Sequence, residues 1–303
     1  MSLSSLLLAG RGTDMTSYFS LLYLGAFLPL CLLIYSIFPR RGKKYFLLAA
    51  SYTFFWLISG KLVVYLALST LSIHYFGIWL DRIQKERDIA VKAAEKENRK
   101  ELKRTYQKQQ RLVLLFAAIL HIGVLLTLKY SPFFTTNINT LLAHLHIPIH
   151  LAVPRFLMPI GISFFTLQAV SYIFDVYRGT IRADSNLFRL ALFMGFFPQI
   201  VEGPICRYGE TAEALWNVKT IQFTNLKLGL QRILYGLMKK IVVADRLNPF
   251  IQEVFSNYAK YEGGILAIAA VFYTIQLYMD FSGTMDAVIG TAEIFGVKLP
   301  ENF

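Results

Sequence analysis

Residues 18–39 read YFSLLYLGAFLPLCLLIYSIFP, and RRGKK follows at once as residues 40–44. The first run carries no charge and is long enough to cross the roughly 30 Å hydrocarbon core of a bilayer as a helix. The second brings Arg40, Arg41, Lys43 and Lys44 together, which is how short cytoplasmic connections are marked. The pair predicts a span that exits into the cytoplasm and places the N-terminus outside.

Outward from there the alternation continues. Residues 45–59, 62–80 and 112–128 are further apolar runs, and residues 81–111 hold eleven Lys/Arg against six Asp/Glu. The surplus of +5 there and of +4 at 40–44 supplies nine of the formal +12. Two spans separate these basic connections, so both fall inside by the charge rule, and residues 131–156 fall outside. A chain 55% hydrophobic and 15% aromatic, with mean hydropathy +0.47, is too apolar for a soluble domain of this length. Its cations are split between short connections rather than gathered on one folded face, so no nucleic-acid partner is expected. The expected fold is an all-α polytopic membrane protein in one domain over residues 1–303, with about seven to nine membrane-embedded helices. The charged loop 81–111 has opposite charges three and four residues apart and is predicted to be a solvated helix extending the third or fourth span. A role at anionic lipid headgroups is its alternative reading.

Beyond residue 156 the apolar runs shorten. They are interrupted by Pro159, Gly161, Pro198, Gly203 and Pro204, with Gln199, Glu202 and Arg207 among them. Irregular backbone at membrane depth persists only where protein or a wet cavity satisfies it, so broken or re-entrant segments are expected here. Residues 226–247 combine an apolar stripe with Lys239, Lys240 and Arg246 and suit an interfacial helix or a short tilted span. Residues 262–280 can cross fully.

Three polar clusters follow. In MPIGISFFTLQAVSYIFDVYRG, residues 158–179, Ser163, Thr166, Gln168 and Ser171 precede Asp175, Tyr177 and Arg178; helix–helix hydrogen bonding is the plain account, pore lining the other. In FFPQIVEGPICRYGE, residues 196–210, Glu202 and Arg207 either pair to close a re-entrant turn or line a cavity. In the last stretch Asp280 and Asp286, six apart, would sit on different faces of an unbroken helix. Gly283 is expected to break that helix and let both carboxylates approach one cavity, either to orient a base or to cap the break.

Histidine is confined to His74, His121, His144, His146 and His150. HLHIPIH (144–150) imitates a metal spacing, but Pro148 forbids a helical arrangement and no acid or thiol is near, so no metal site is expected. His121 reads as a packed, hydrogen-bonded residue. Cys31 and Cys206 belong to no pair or metal spacing. The N-terminus lacks a signal-peptide shape, and Met15 is an alternative start.

MPIGISFFTLQAVSYIFDVYRG, FFPQIVEGPICRY, GLMKKIVVADRL and MDFSGTMDAVIGTAEIFGVKLPENF, in that order, resemble the successive motifs of the membrane-bound O-acyltransferase family, nearest its alginate O-acetyltransferase-like branch. The resemblance is specific over residues 158–303; before that only hydropathy and the basic loop agree. It implies a many-helix fold with a thin centre, with no bound cofactor, that passes acyl groups to hydroxyls of an extracytoplasmic polysaccharide in the bacterial cytoplasmic membrane. The donor implied is a cytoplasmic thioester, acetyl-CoA or an acyl carrier protein, and a partner acyltransferase in the envelope is implied as well. The family's base is a histidine in an Arg- and Trp-rich segment downstream of Pro-Glu-Asn-Phe, here Pro300, Glu301, Asn302 and Phe303. On this reading the catalytic histidine lies beyond Phe303, the fold is incomplete, and these residues alone are inactive. Glu202, Arg207, Asp280, Asp286 and Asn302 are left as candidate cavity-lining residues. The chain departs from the family at Gly283-Thr284-Met285, where Gly-Tyr-Ser is usual. A non-catalytic scaffold or acyl conduit is the alternative function, and a transporter using Glu202, Asp280 and Asp286 a third.

Overall fold

The computed structural model describes residues 17–154 and 156–302. Among them every regular element is helical: α1 Leu28–Ile37, α2 Lys43–Ser59, α3 Val63–Ala93, α4 Arg99–His144, α5 Ile162–Arg178, α6 Leu187–Gly195, α7 Tyr208–Trp216, α8 Phe223–Met238, α9 Asp245–Ser256 and α10 Gly263–Ile294. Three helical stretches, Lys43–Ala93, Arg99–His144 and Gly263–Ile294, are long and apolar enough to cross a membrane. Met15 and the N-terminal signals lie outside the described residues, as does Phe303. The described residues form two compact units: those within 17–51, 196–206 and 213–302 make the first, and those within 52–154, 156–195 and 207–212 the second.

In the second unit the chain reverses between α2 and α3. A short 3-10 turn, Gly60–Leu62, joins them, with Gly60 at φ +57°, a conformation that disfavours side chains. The reversal brings the hydroxyls of Tyr52 and Thr70 within 3.4 Å, whereas 18 residues of straight helix would part them by about 27 Å. The predicted spans 45–59 and 62–80 are therefore the arms of a hairpin.

α3 and α4 run antiparallel. His121 on α4 is held on both ring nitrogens, Nδ1 by Ser69 Oγ at 3.3 Å and Nε2 by Ser72 Oγ at 2.9 Å, and Phe76 meets Phe116 edge-on. The charged loop is almost wholly helix, as its i,i+3 and i,i+4 charges predict: α3 runs on to Ala93 and α4 starts at Arg99. α4 also runs farther than the apolar run 112–128, through Pro132 to His144, so much of 131–156 is helix. Past it the backbone is irregular, with His146 at φ 56°. The described residues hold no group of three His, Cys, Asp or Glu side chains placed to bind a metal.

α5 packs by the polar contacts expected of it. The Gln168 amide donates to the carbonyl of Phe193 at 3.0 Å, and Gln84 of α3 donates to that of Val176 at 2.7 Å. Below it, in the connection to α6, Asp184 is gripped by Arg189 through two bonds of 2.5 and 2.6 Å and receives the Tyr208 hydroxyl. Burial would push this carboxyl up; the Arg189 guanidinium, the Tyr208 hydroxyl and the Asn186 N–H outweigh it and hold it below the usual range.

The first unit is organised on one helix pair. Glycines seven apart on α8, Gly229 and Gly236, face glycines seven apart on α10, Gly290 and Gly283. A Cβ on Gly229 would lie 2.4 Å from the Gly290 carbonyl oxygen, and one on Gly236 2.4 Å from that of Gly283. Backbones meet directly, as small residues allow in membrane helix pairs. This corrects one expectation. Gly283 does not break α10, which is continuous over 32 residues. The missing side chain serves close approach to Gly236, where any Cβ would strike backbone. Residues 226–247 are helical throughout, α8 passing through a π-helical turn into α9.

The turn at 196–206 is satisfied internally. Tyr18 donates to the Phe197 carbonyl at 3.2 Å and accepts the Val201 N–H, and Ser51 Oγ accepts the Phe197 N–H at 3.1 Å. Gly203 sits so close over Gln199 that a Cβ would lie 2.3 Å from its Cα.

Candidate functional site

α8 continues into a π-helical turn, Lys239–Ala244, which leads into α9. In a helix, neighbouring residues point about 100° apart, and Lys239 and Lys240 use that divergence to reach two carboxylates of α10. Lys239 Nζ bonds Asp286 at 2.6 Å, and Lys240 Nζ bonds Asp280 at 2.8 Å. Since α10 is unbroken, Asp280 and Asp286 stay on separate faces, and one lysine goes to each.

Around Asp286 the charges close. Arg232, two turns earlier on α8, bonds it at 3.1 Å and holds Glu301 with both terminal nitrogens, one at 2.6 Å. The guanidinium keeps the Glu301 carboxyl below its usual range. Two cations and two anions thus tie α8, α10 and the Pro300-Glu301-Asn302 segment together. Asn302 follows beside the cluster, its amide 3.8 Å from the Met285 sulfur. Asp286 is buried with both partners at hand, as a charge in a low-dielectric setting must be.

Around Lys240 they do not close. The ammonium bonds Asp280 and, at 3.2 Å, Asp245. With Glu202 it lines a cavity of about 400 Å³ shared with Tyr18, Phe281 and Thr284. Within the pocket one cation faces two carboxylates, Glu202 and Asp280, so it carries a surplus of negative charge, with acceptors for hydroxyl protons and an ammonium to hold an electron-rich oxygen.

Of the residues singled out in the sequence, Glu202 and Asp280 meet at this cavity, Asp286 and Asn302 belong to the neighbouring cluster, and Arg207 opens α7 in the other unit. The pairing of Glu202 with Arg207 is not among the ion pairs of the described residues; Glu202 faces Lys240 and Asp280 instead. Sequence reasoning missed Arg232, Glu301 and Asp245 as site residues, and read the two lysines only as part of an interfacial helix or short tilted span, without their carboxylate partners. The available signal was their adjacency, ahead of two acids in the following apolar helix. All five histidines lie between residues 74 and 150, so the first unit has none.

Fold and site define a helical membrane protein with paired charges inside its helix packing. No family model matches the chain. It is 32% identical over 282 residues to a probable alginate O-acetylase AlgI of Azotobacter vinelandii, an alignment covering 93% of this chain and 52% of that protein. It is 31% identical over 220 residues, 64% of this chain and 41% of the relative, to a peptidoglycan O-acetyltransferase of Helicobacter pylori. With a teichoic acid D-alanyltransferase of Bacillus subtilis it shares 30% identity over 179 residues, 57% of this chain and 44% of that one. Over the matched residues the chain belongs to the membrane-bound O-acyltransferase family. It spans about half the length of the alginate O-acetylases it matches.

Proposed function

We propose that the chain is part of an O-acyltransferase of the bacterial cytoplasmic membrane that passes acetyl groups from a cytoplasmic thioester, acetyl-CoA or an acyl carrier, to hydroxyls of a cell-envelope polysaccharide. The observation that carries this reading is the 32% identity over 93% of the chain with a probable alginate O-acetylase, a stretch that includes the charged cavity. In the reaction the acceptor oxygen attacks the thioester carbonyl, the C–O bond forms as the C–S bond breaks, and the hydroxyl proton leaves through a base and ends on the thiol. A base and an oxyanion donor in a water-poor setting are what that step needs. In this proposal Asp280 and Glu202 receive the acceptor hydroxyl, and Lys240 holds Asp280 in place. The base that the family resemblance implies is a histidine, and none lines this cavity.

The test is to delete the gene in its own host and measure the acetate that mild base releases from each purified envelope polysaccharide. Loss from one polymer, restored by the intact gene and reduced at least tenfold with Asp280→Asn, is the expected result. Unchanged ester content in the deletion would overturn the enzymatic reading and favour a scaffold.

A further inference from the structure

In the second unit an apolar groove of about 820 Å³ runs between α3 and α4. Trp79, Phe116 and Ile119 line it, exposed by 51%, 60% and 60%. Along α4 it extends from Gln109 to Ile119, about 15 Å at 1.5 Å per residue. That is the thickness of one leaflet's hydrocarbon, half of about 30 Å. A second apolar depression continues it past Phe116 and Ile119.

Its mouth is chemically specific. Arg82 and Glu86, one helical turn apart on α3, open onto it opposite the Gln109 amide. Neighbouring charges are already matched, Lys85 with Asp81 and Arg87 with Asp88. Neither Arg82 nor Glu86 takes part in any ion pair among the described residues, although their spacing permits one with each other. One unmatched cation, one unmatched anion and an amide thus stand at the charged end of a leaflet-long apolar channel.

We infer that this groove holds one phospholipid with a phosphoethanolamine head. An acyl chain lies along Phe116 and Ile119, the phosphate rests on Arg82 and Gln109, and the ammonium rests on Glu86. A purely anionic head would meet Glu86 as a like charge. A choline head offers Glu86 no N–H. The inference is independent of the acyl-transfer reading, since it uses none of the residues of the charged cavity.

The experiment is native mass spectrometry of the protein expressed from its whole reading frame, released from bilayers containing equal amounts of phosphatidylethanolamine, phosphatidylglycerol and phosphatidylcholine. One retained phosphatidylethanolamine per chain is expected, about threefold over either competitor, the scale of an exposed charge contact. Glu86→Gln removes the preference, and Arg82→Ala lowers retention of all three. Ile119→Trp, on an exposed position, obstructs the groove and does the same without touching the mouth. Equal retention of the three lipids, or a phosphatidylglycerol preference that survives Glu86→Gln, overturns the inference.

Discussion

Asp184 shows how one residue couples a connection to pH. Its carboxyl is fully enclosed and sits below its usual range because Arg189, Tyr208 and Asn186 favour the charged form over the cost of burial. In the unfolded chain the same group takes a proton at higher pH, so the unfolded state binds more protons as acid is added. The stabilisation is therefore complete above the ordinary carboxylate range and is lost as pH falls through the native value. Thermal midpoints of the purified protein should drop on acidification below about pH 4. Asp184→Asn should lower the midpoint at neutral pH, on the order of 5 °C, and flatten the acid limb of the profile. An unchanged acid limb in that variant would show that the sensitivity arises elsewhere.

At the scale of elements, the α8–α10 pair is set by two glycine pairs, and its tolerance should be sharply local. Gly236→Ala drives a methyl against the Gly283 carbonyl and should cost about 3 kcal/mol or prevent folding. Gly123→Ala on α4 meets nothing within 4 Å and should be neutral or gain up to about 1 kcal/mol from helix propensity. Comparing the two variants for monodisperse yield and unfolding midpoint checks this, and equal behaviour would refute the close-contact account. The same pair shows what a sequence can reveal. Periodic charges announced the helical extensions at 81–111, and hydropathy announced the arms of the α2–α3 hairpin. A glycine in an apolar helix, by contrast, serves either as a break or as an approach point. Only the partner decides, and Gly236 lies 47 residues from Gly283. The pairing of Lys239 with Asp286 and of Lys240 with Asp280 was hidden for the same reason: those carboxylates belong to another helix.

At the scale of the whole molecule, the charge pattern predicts sidedness. Residues 40–44 and 81–111 should face the cytoplasm and residues 131–156 the outside. Cys31 and Cys206 are buried, so among these residues an introduced exposed cysteine is the accessible one. A membrane-impermeant maleimide should label His150→Cys in intact cells and Glu95→Cys only after the membrane is opened. The reverse result would invert the topology and, with it, the side from which a cytoplasmic thioester could reach the protein.

The charged cluster also has a consequence for biogenesis. Arg232 and Lys239 leave the ribosome well ahead of their carboxylates, Asp286 47 residues behind Lys239 and Glu301 69 behind Arg232, whereas Lys240 is followed by Asp245 before Asp280 arrives 40 residues on. Residues 223–244 therefore lack the acids of Asp286 and Glu301 when they are made. Those ion pairs form only once α10 and the segment after it arrive, so this part of the protein is expected to complete its packing in the order of its charges and not of its sequence.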